Sequence, residues 1–262
     1  MGETEDTVSR RSARPDGIAV TVRRTLKLTL EYDGSGFRGW AAQPGLRTVE
    51  DEVRTALEQV FQSWAGLAVA GRTDTGVHAL GQVASVDVEG GPPAVRAAET
   101  LNAVLPDDVA IVGVEEVARD FHARHSARAR SYRYRLFRRR APSPFESRRA
   151  WWYPRPIDRA KLDEAAALLP GRHDFRAFTP SETDHRVFER EVTEARWVDR
   201  DDVLEFEITA NSFLRHMVRT LIGTMLELPP ERLAELLSGE GLRADAGTTA
   251  PPWGLYLECV DY

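Results

Sequence analysis

The sequence predicts an α+β fold built from two similar halves, and three observations lead to it. Segments with strand-like alternation and helix-like stripes follow one another as β-α-β-β-α-β from Leu26 to Val117. The same order returns from Arg130 to Val260. The 262 residues are 42% hydrophobic and 29% charged, which suits a packed globular chain and rules out general disorder. Two successive β-α-β-β-α-β units read as two ferredoxin-like (RRM-like) halves. Edge-to-edge pairing would join them into one antiparallel sheet, with helices on one face and the other face free for a large ligand.

The elements are read from periodicity. Leu26–Tyr32 alternates leucine with polar residues and is predicted as a strand. Thr48–Trp64 carries Val49, Val53, Leu57, Val60 and Phe61 as a helical stripe. Leu67–Ala70 and Gly81–Val88 are predicted strands flanking a glycine-bracketed turn, Pro92–Val104 a helix and Val109–Val117 a strand. In the second half, Arg130–Phe137 is a strand, Asp158–Leu169 a helix, and Glu191–Val198 and Val203–Thr209 strands. Phe213–Leu226 and Pro230–Leu237 follow as helices, with Leu255–Val260 as the closing strand. The division is therefore a polar, disordered tail over 1–24, a first half over 25–118 and a second over 119–262.

Charge is distributed unevenly. The chain carries −6 overall, which by itself argues against a polyanion ligand. Yet Arg119–Arg149 holds eleven arginines against only Asp120 and Glu146, a net +9 that leaves the remainder at −15. So dense a run repels itself unless an anion covers it, and a polyanion is the natural candidate.

A single cysteine, Cys259, excludes an intrachain disulfide framework and a cysteine-rich zinc site. The six histidines are scattered apart from His122 and His125, so no metal site is expected. No apolar run is long enough to span a membrane, and the polar residues 1–24 lack the apolar core of a secretory signal. These features lead to the expectation of a cytoplasmic protein.

The densest motif is Gly71-Arg72-Thr73-Asp74-Thr75-Gly76-Val77-His78-Ala79. Two glycines bracket an aspartate in a tight turn between two strands, which holds the carboxylate at the end of a sheet. Asp74 then either caps its turn, as aspartate often does, or performs chemistry. The nine residues, followed by Leu80-Gly81-Gln82-Val83, resemble the signature of the TruA family of tRNA pseudouridine synthases. Four further blocks match in order. They are Leu30-Glu31-Tyr32-Asp33-Gly34 with Phe37 and Gly39-Trp40; Phe121-His122-Ala123-Arg124 with Tyr132-Arg133-Tyr134; Asn211 through Arg219; and Ala250-Pro251 with Gly254-Leu255-Tyr256-Leu257. The resemblance spans about residues 26–262. Departures from the family pattern are confined to Ala41-Ala42-Gln43, Trp151-Trp152 and the tail.

The resemblance implies the pseudouridine synthase fold and the conversion of uridine to pseudouridine at positions 38, 39 and 40 of the tRNA anticodon arm. It implies Asp74 as nucleophile, attacking either the sugar C1′ or the base C6. A carboxylate in a dry site needs a cation to stay ionised, and Arg219 is the implied partner. Arg215 and Arg219, four apart, fall on one border of the predicted helix, from which an arginine also reaches solvent easily. Tyr132 is the implied stacking residue for the target base; alternation places it with Tyr134 on one face of its strand, where it also suits plain packing. Arg72 is implied to fill the space left by a flipped base, with a salt bridge to its own turn as the alternative.

Contacts to RNA are implied for Phe121, His122, Ala123, Arg124, His125, Arg140, Tyr153 and the loop Glu182, Thr183, Asp184, His185, Arg186. His78 reads as structural. No cofactor and no metal are expected, because the isomerisation has no net redox change and no phosphate-loop or dinucleotide motif is present. The resemblance also implies a homodimer with one tRNA reaching across both subunits. Two other readings stay open on the residues: a non-catalytic RNA-binding protein, which would carry an aromatic ribonucleoprotein motif that this chain lacks, and a related enzyme acting at other RNA positions.

Overall fold

The computed structural model describes residues 23–183 and 185–262; most of the expected tail and the implied contact residue Asp184 lie outside them. The first strand, β1 (Arg24–Tyr32), buries Leu26, Leu28 and Leu30 completely and turns Lys27 and Glu31 to the other face. Helix α1 (Val49–Val60) starts where the Thr48 hydroxyl accepts the Asp51 N–H, with three acids in its first turn. β2 (Ser63–Val69) leads through the motif loop into the twelve-residue β3 (His78–Glu89). Helix α2 (Ala94–Asn102) and β4 (Val109–Val117) complete the first half.

The second half runs β5 (Ala129–Phe137), the two-residue β6 (Trp151–Trp152), α3 (Arg159–Ala167) and β7 (Gly171–Asp174). Then come β8 (Glu189–Arg200), β9 (Val203–Ala210), α4 (Met217–Glu227), α5 (Pro230–Leu237) and β10 (Leu255–Asp261). All ten strands form one sheet in the order β4-β1-β3-β10-β5-β9-β8-β7, with β2 on β3 and β6 on β5.

Each half has its first strand between its last and its third, the expected ferredoxin-like order. The seam between halves is not antiparallel. β3 and β10 run parallel there, pairing His78 with Tyr256 and Ala79 with Leu257. The reason is that β3 is long: its far end is taken by β2, from Ala84 to Glu89, so only its first residues are open to β10.

Helices cover one face in two adjoining cores. Leu26, Leu28, Leu30, Val86 and Val88 pack with Val53 and Leu57 of α1 and Leu101 of α2. Tyr134, Leu136, Phe206 and Ile208 pack with Leu162 of α3, Leu221 and Ile222 of α4 and Leu233 of α5. Each fully buried leucine or phenylalanine contributes roughly 1.5–3 kcal/mol. Tyr132 packs against both cores, so it marks the line where the halves meet. The opposite face of the second half is an ion-pair lattice in which buried Glu205 meets Arg133, Arg135 and Arg200 at 3.5, 3.3 and 3.6 Å.

Two predicted helices are trimmed. The first ends at Val60, since Phe61 turns into the core and Ser63 and Trp64 pair with Glu89 and Val88; sheet pairing overrides helical spacing here. The helix expected from Phe213 begins only at Met217, after His216 adopts a left-handed conformation at φ 62°. Arg215 is therefore outside the helix and does not share a helical border with Arg219. Among the described residues, no helix is long and apolar enough to cross a membrane.

Candidate active site

The loop from Ala70 to Val77 is gripped from beneath by a buried polar network. Gln82, fully buried, donates to the Gly71 carbonyl at 2.7 Å and to the Tyr32 hydroxyl at 3.2 Å. The Tyr32 hydroxyl in turn shares a 2.7 Å hydrogen bond with Thr73, and burial pushes its pKa up to about 12. From the side, Trp40 donates its N–H to the Thr73 carbonyl at 3.0 Å. Gly39 permits this approach: its φ is +92°, and a Cβ there would sit 2.8 Å from the Thr73 oxygen. Gly34 is pressed harder still, with the Val77 oxygen 2.0 Å from where a Cβ would be. The block from Leu30 to Trp40 thus serves the loop that carries Asp74.

Among the described residues the Asp74 carboxylate accepts no backbone N–H, so it makes no turn-capping bond there. Its Oδ2 instead meets Arg219 Nη1 at 3.3 Å and His216 Nε2 at 3.4 Å. Its side chain is 32% exposed, against 13% for Arg219. Arg219 is aimed by its own backbone surroundings: its Nε donates to the Ala250 carbonyl at 2.7 Å, while the Ala250 N–H returns to the Arg219 carbonyl at 3.0 Å. His216 was not singled out in the sequence, although it stands three residues before Arg219 in the same block. Burial holds its pKa below the usual histidine value, an effect that Arg219, Arg215 and Arg243 reinforce and Asp74 opposes.

Tyr132 stands beside this group. Its hydroxyl lies 3.7 Å from the point a Cβ on Gly71 would occupy, and its ring meets Phe213 edge-on at 4.9 Å. Burial raises the pKa of its hydroxyl, with Tyr32 and the Asp74 charge adding to the effect, so the phenol stays protonated. Hydrogen bonds to other described residues leave that hydroxyl unused. A carboxylate with one oxygen held, one oxygen open and an aromatic ring alongside is equipped to attack an electrophilic carbon of a flat ligand.

Comparison with known proteins gives a consistent result. A family profile described as tRNA pseudouridine synthase matches residues 165–262. The tRNA pseudouridine synthase A of Thermus thermophilus is 45% identical over 244 residues, covering 89% of this chain and 95% of that one. The enzyme of the same name from Moorella thermoacetica is 42% identical, covering 90% and 99%. The chain belongs to the tRNA pseudouridine synthase A family. It is accordingly a pseudouridine synthase, an isomerase. A solved Cbf5-Nop10-Gar1 complex is similar only remotely, at 13% identity and a TM-score of 0.36 over 88% of this chain and 57% of that one.

The remaining implied residues of the synthase fall elsewhere on the chain. Arg72 is exposed and makes no ion pair or hydrogen bond with the described residues, so the salt bridge to its own turn is absent. Phe121 packs on Tyr262 at 4.9 Å, and His122 Nδ1 accepts the N–H groups of Arg124 and His125. Ala123 is fully buried, with its N–H on Ser85, so its side chain is closed to a ligand. Arg124, His125 and Arg140 are exposed. Tyr153 packs edge-on to Trp151 at 5.1 Å and joins the second core. Glu182 and Arg186 are exposed, while Thr183 accepts the His185 N–H.

Several arginines of the arginine-rich segment are paired: Glu205, Glu258, Asp199 and Asp33 reach Arg133, Arg135, Arg138 and Arg149 from other parts of the chain, and Glu146 pairs with Arg135 from within the segment. Arg130 is buried and donates to the carbonyls of Ala70, Arg124, Ala127 and Asn211, fastening the root of the Asp74 loop to the second half. The run is therefore only partly neutralised within the chain, and an excess of positive charge remains on it. Arg124, Arg128 and Arg140 keep unpaired side chains among the described residues. His78 is structural in its contacts: Nδ1 accepts the Gly34 N–H at 3.1 Å, Nε2 meets the Arg148 carbonyl at 2.8 Å, and the ring stacks on Tyr256.

Proposed function

We propose that the synthase isomerises uridines at positions 38, 39 and 40 of the tRNA anticodon arm, with Asp74 as nucleophile on a base turned out of the RNA stack. The observation that carries this reading is the Asp74 carboxylate, with Oδ2 hydrogen-bonded by Arg219, His216 Nε2 3.4 Å away, and the Tyr132 hydroxyl nearby. In the reaction the C1′–N1 bond breaks, the base rotates and C1′ joins C5; the C5 hydrogen leaves as a proton and N1 gains one, so the net change is isomerisation. Attack by Asp74 at C1′ would divide this into two displacements, with the enclosed site holding the freed base, whereas attack at C6 would tether the base to the enzyme while C1′ is transferred from N1 to C5. The Tyr132 ring offers a stacking surface for the extruded uracil, and Arg72, exposed beside the nucleophile, fills the vacated stack. The unpaired Arg124, Arg128 and Arg140 supply phosphate contacts on a chain that is acidic overall. A homodimer would let one tRNA bridge two such surfaces.

The deciding experiment maps pseudouridine at each tRNA position after incubation with wild type and with Asp74→Asn. Asparagine keeps the shape of the side chain but is a poor nucleophile, so loss of many orders of magnitude in rate with intact tRNA binding is expected. Turnover by Asp74→Asn at more than a few per cent of wild type refutes the nucleophile assignment. Modification outside positions 38–40 moves the synthase to another RNA target.

A further inference from the structure

The same carboxylate carries a second relationship that the family signature did not single out. Arg219 and His216 both reach Oδ2 of Asp74, at 3.3 and 3.4 Å, and Oδ1 accepts no hydrogen bond from the described residues. The two donors come from one place in the chain. His216 is the residue before α4 and Arg219 lies within its first turn, three positions on.

His216 stands in a conformation that few non-glycine residues adopt, though histidine is among those that enter it more often. At φ 62° and ψ −2° it is in the left-handed region, which glycine and asparagine enter more easily than histidine. Strain of this kind persists where a side chain is needed at that point. With the left-handed residue in place, α4 begins at Met217 and the imidazole is directed to Asp74.

We propose that His216 is a positioning residue for pseudouridine formation: its Nε2, 3.4 Å from Oδ2 of Asp74 on the side that Arg219 bonds, closes to a hydrogen bond when substrate is in place and leaves Oδ1 as the oxygen turned to the substrate. This rests on the reading of Asp74 as nucleophile. A carboxylate hinged at one oxygen swings, and a second donor on that oxygen narrows the swing, which is how preorganised hydrogen bonds raise a rate without adding binding. The neutral ring suits this task because it donates one N–H without adding a charge that would quench the nucleophile. The groups facing it are Asp74, Arg219, Arg215 and Arg243; burial and the three arginines keep it neutral against the pull of Asp74.

The test compares His216→Gln with His216→Asn in single-turnover rate, tRNA Kd and melting temperature. The glutamine amide extends about as far as Nε2, whereas asparagine fits the left-handed backbone better but falls short of Asp74. His216→Gln should therefore retain a rate within about fivefold of wild type, and His216→Asn should lose about 10–100-fold, the effect of one hydrogen bond to a charged group. Kd should change little in either, and His216→Asn should melt no lower than wild type. A purely structural role predicts the reverse order, with asparagine harmless. Wild-type rate should also decline as pH falls below 6.5 more steeply than that of His216→Gln, which has nothing to protonate. Full activity in His216→Asn, or equal losses in both variants, overturns the proposal. Asp74→Asn run in parallel separates the two ideas: if it stays active, the nucleophile reading fails and this one with it, whereas an inactive Asp74→Asn beside a fully active His216→Asn removes only the role of His216.

Discussion

Arg219 serves Asp74 and Ala250 at once, with Nη1 3.3 Å from the carboxylate and Nε 2.7 Å from the carbonyl. A planar guanidinium can span two acceptors in fixed directions, and a lysine ammonium cannot reach both. Arg219→Lys should thus keep the charge and still lose roughly 10–100-fold in single-turnover rate, with Arg219→Ala losing about tenfold more. If Arg219→Lys matches wild type, the charge alone matters and the anchoring to Ala250 is irrelevant.

Binding to tRNA should depend on salt, though less than eleven arginines would suggest. With Arg72, Arg124, Arg128, Arg140 and Arg148 all keeping unpaired side chains among the described residues, the log–log slope of affinity against salt should be roughly −3 to −5. Arg140→Ala should make it shallower by about one, while Arg138→Ala, whose partner is Asp199, should leave it where it was. A slope near zero would remove the unpaired arginines from the RNA surface.

Arg72→Ala should bind tRNA within about tenfold of wild type and fold normally, because the exposed side chain makes no hydrogen bond or ion pair with the described residues. Its activity should collapse on a base-paired stem, where extruding the base costs a few kcal/mol, and recover on a flexible single strand. Equal losses on both substrates would argue for a direct chemical role instead.

Arg130→Met should destabilise the fold by about 2–4 kcal/mol, since it strands four carbonyls that the buried guanidinium now satisfies. Urea unfolding reads this directly. A loss below about 0.5 kcal/mol would mean that water replaces the arginine without cost.

Stability should also fall in mild acid. His78 and His216 both have pKa values lowered by burial below the unfolded value of 6.5. Below that pH the unfolded chain takes up protons that the folded chain refuses, so stability drops as pH falls through 6.5 and levels off beneath the folded pKa values. Melting temperatures at pH 7.5 and 5.5 should differ, and His78→Gln should narrow the gap. An unchanged gap would place the acid sensitivity elsewhere.

The sequence by itself determined the succession of elements and the residues around Asp74. Strands such as Val109–Val117 and the helix Pro230–Leu237 are legible because side-chain period is a local property of the backbone. Asp74 was legible because two glycines and a run of specific neighbours enclose it. The tertiary structure decided the rest. His216 looked like one more helical residue; its left-handed backbone ends that reading and brings its imidazole to Asp74, a residue far away in sequence. The arginine-rich segment looked uncompensated because its acids, Asp33, Asp199, Glu205 and Glu258, arrive from other strands and loops. The parallel seam of β3 with β10 depended on how much of β3 was left open by β2. Periodicity is written within a few residues, whereas charge pairing, strand partners and a strained dihedral arise from which distant segments meet, and only the folded chain fixes that.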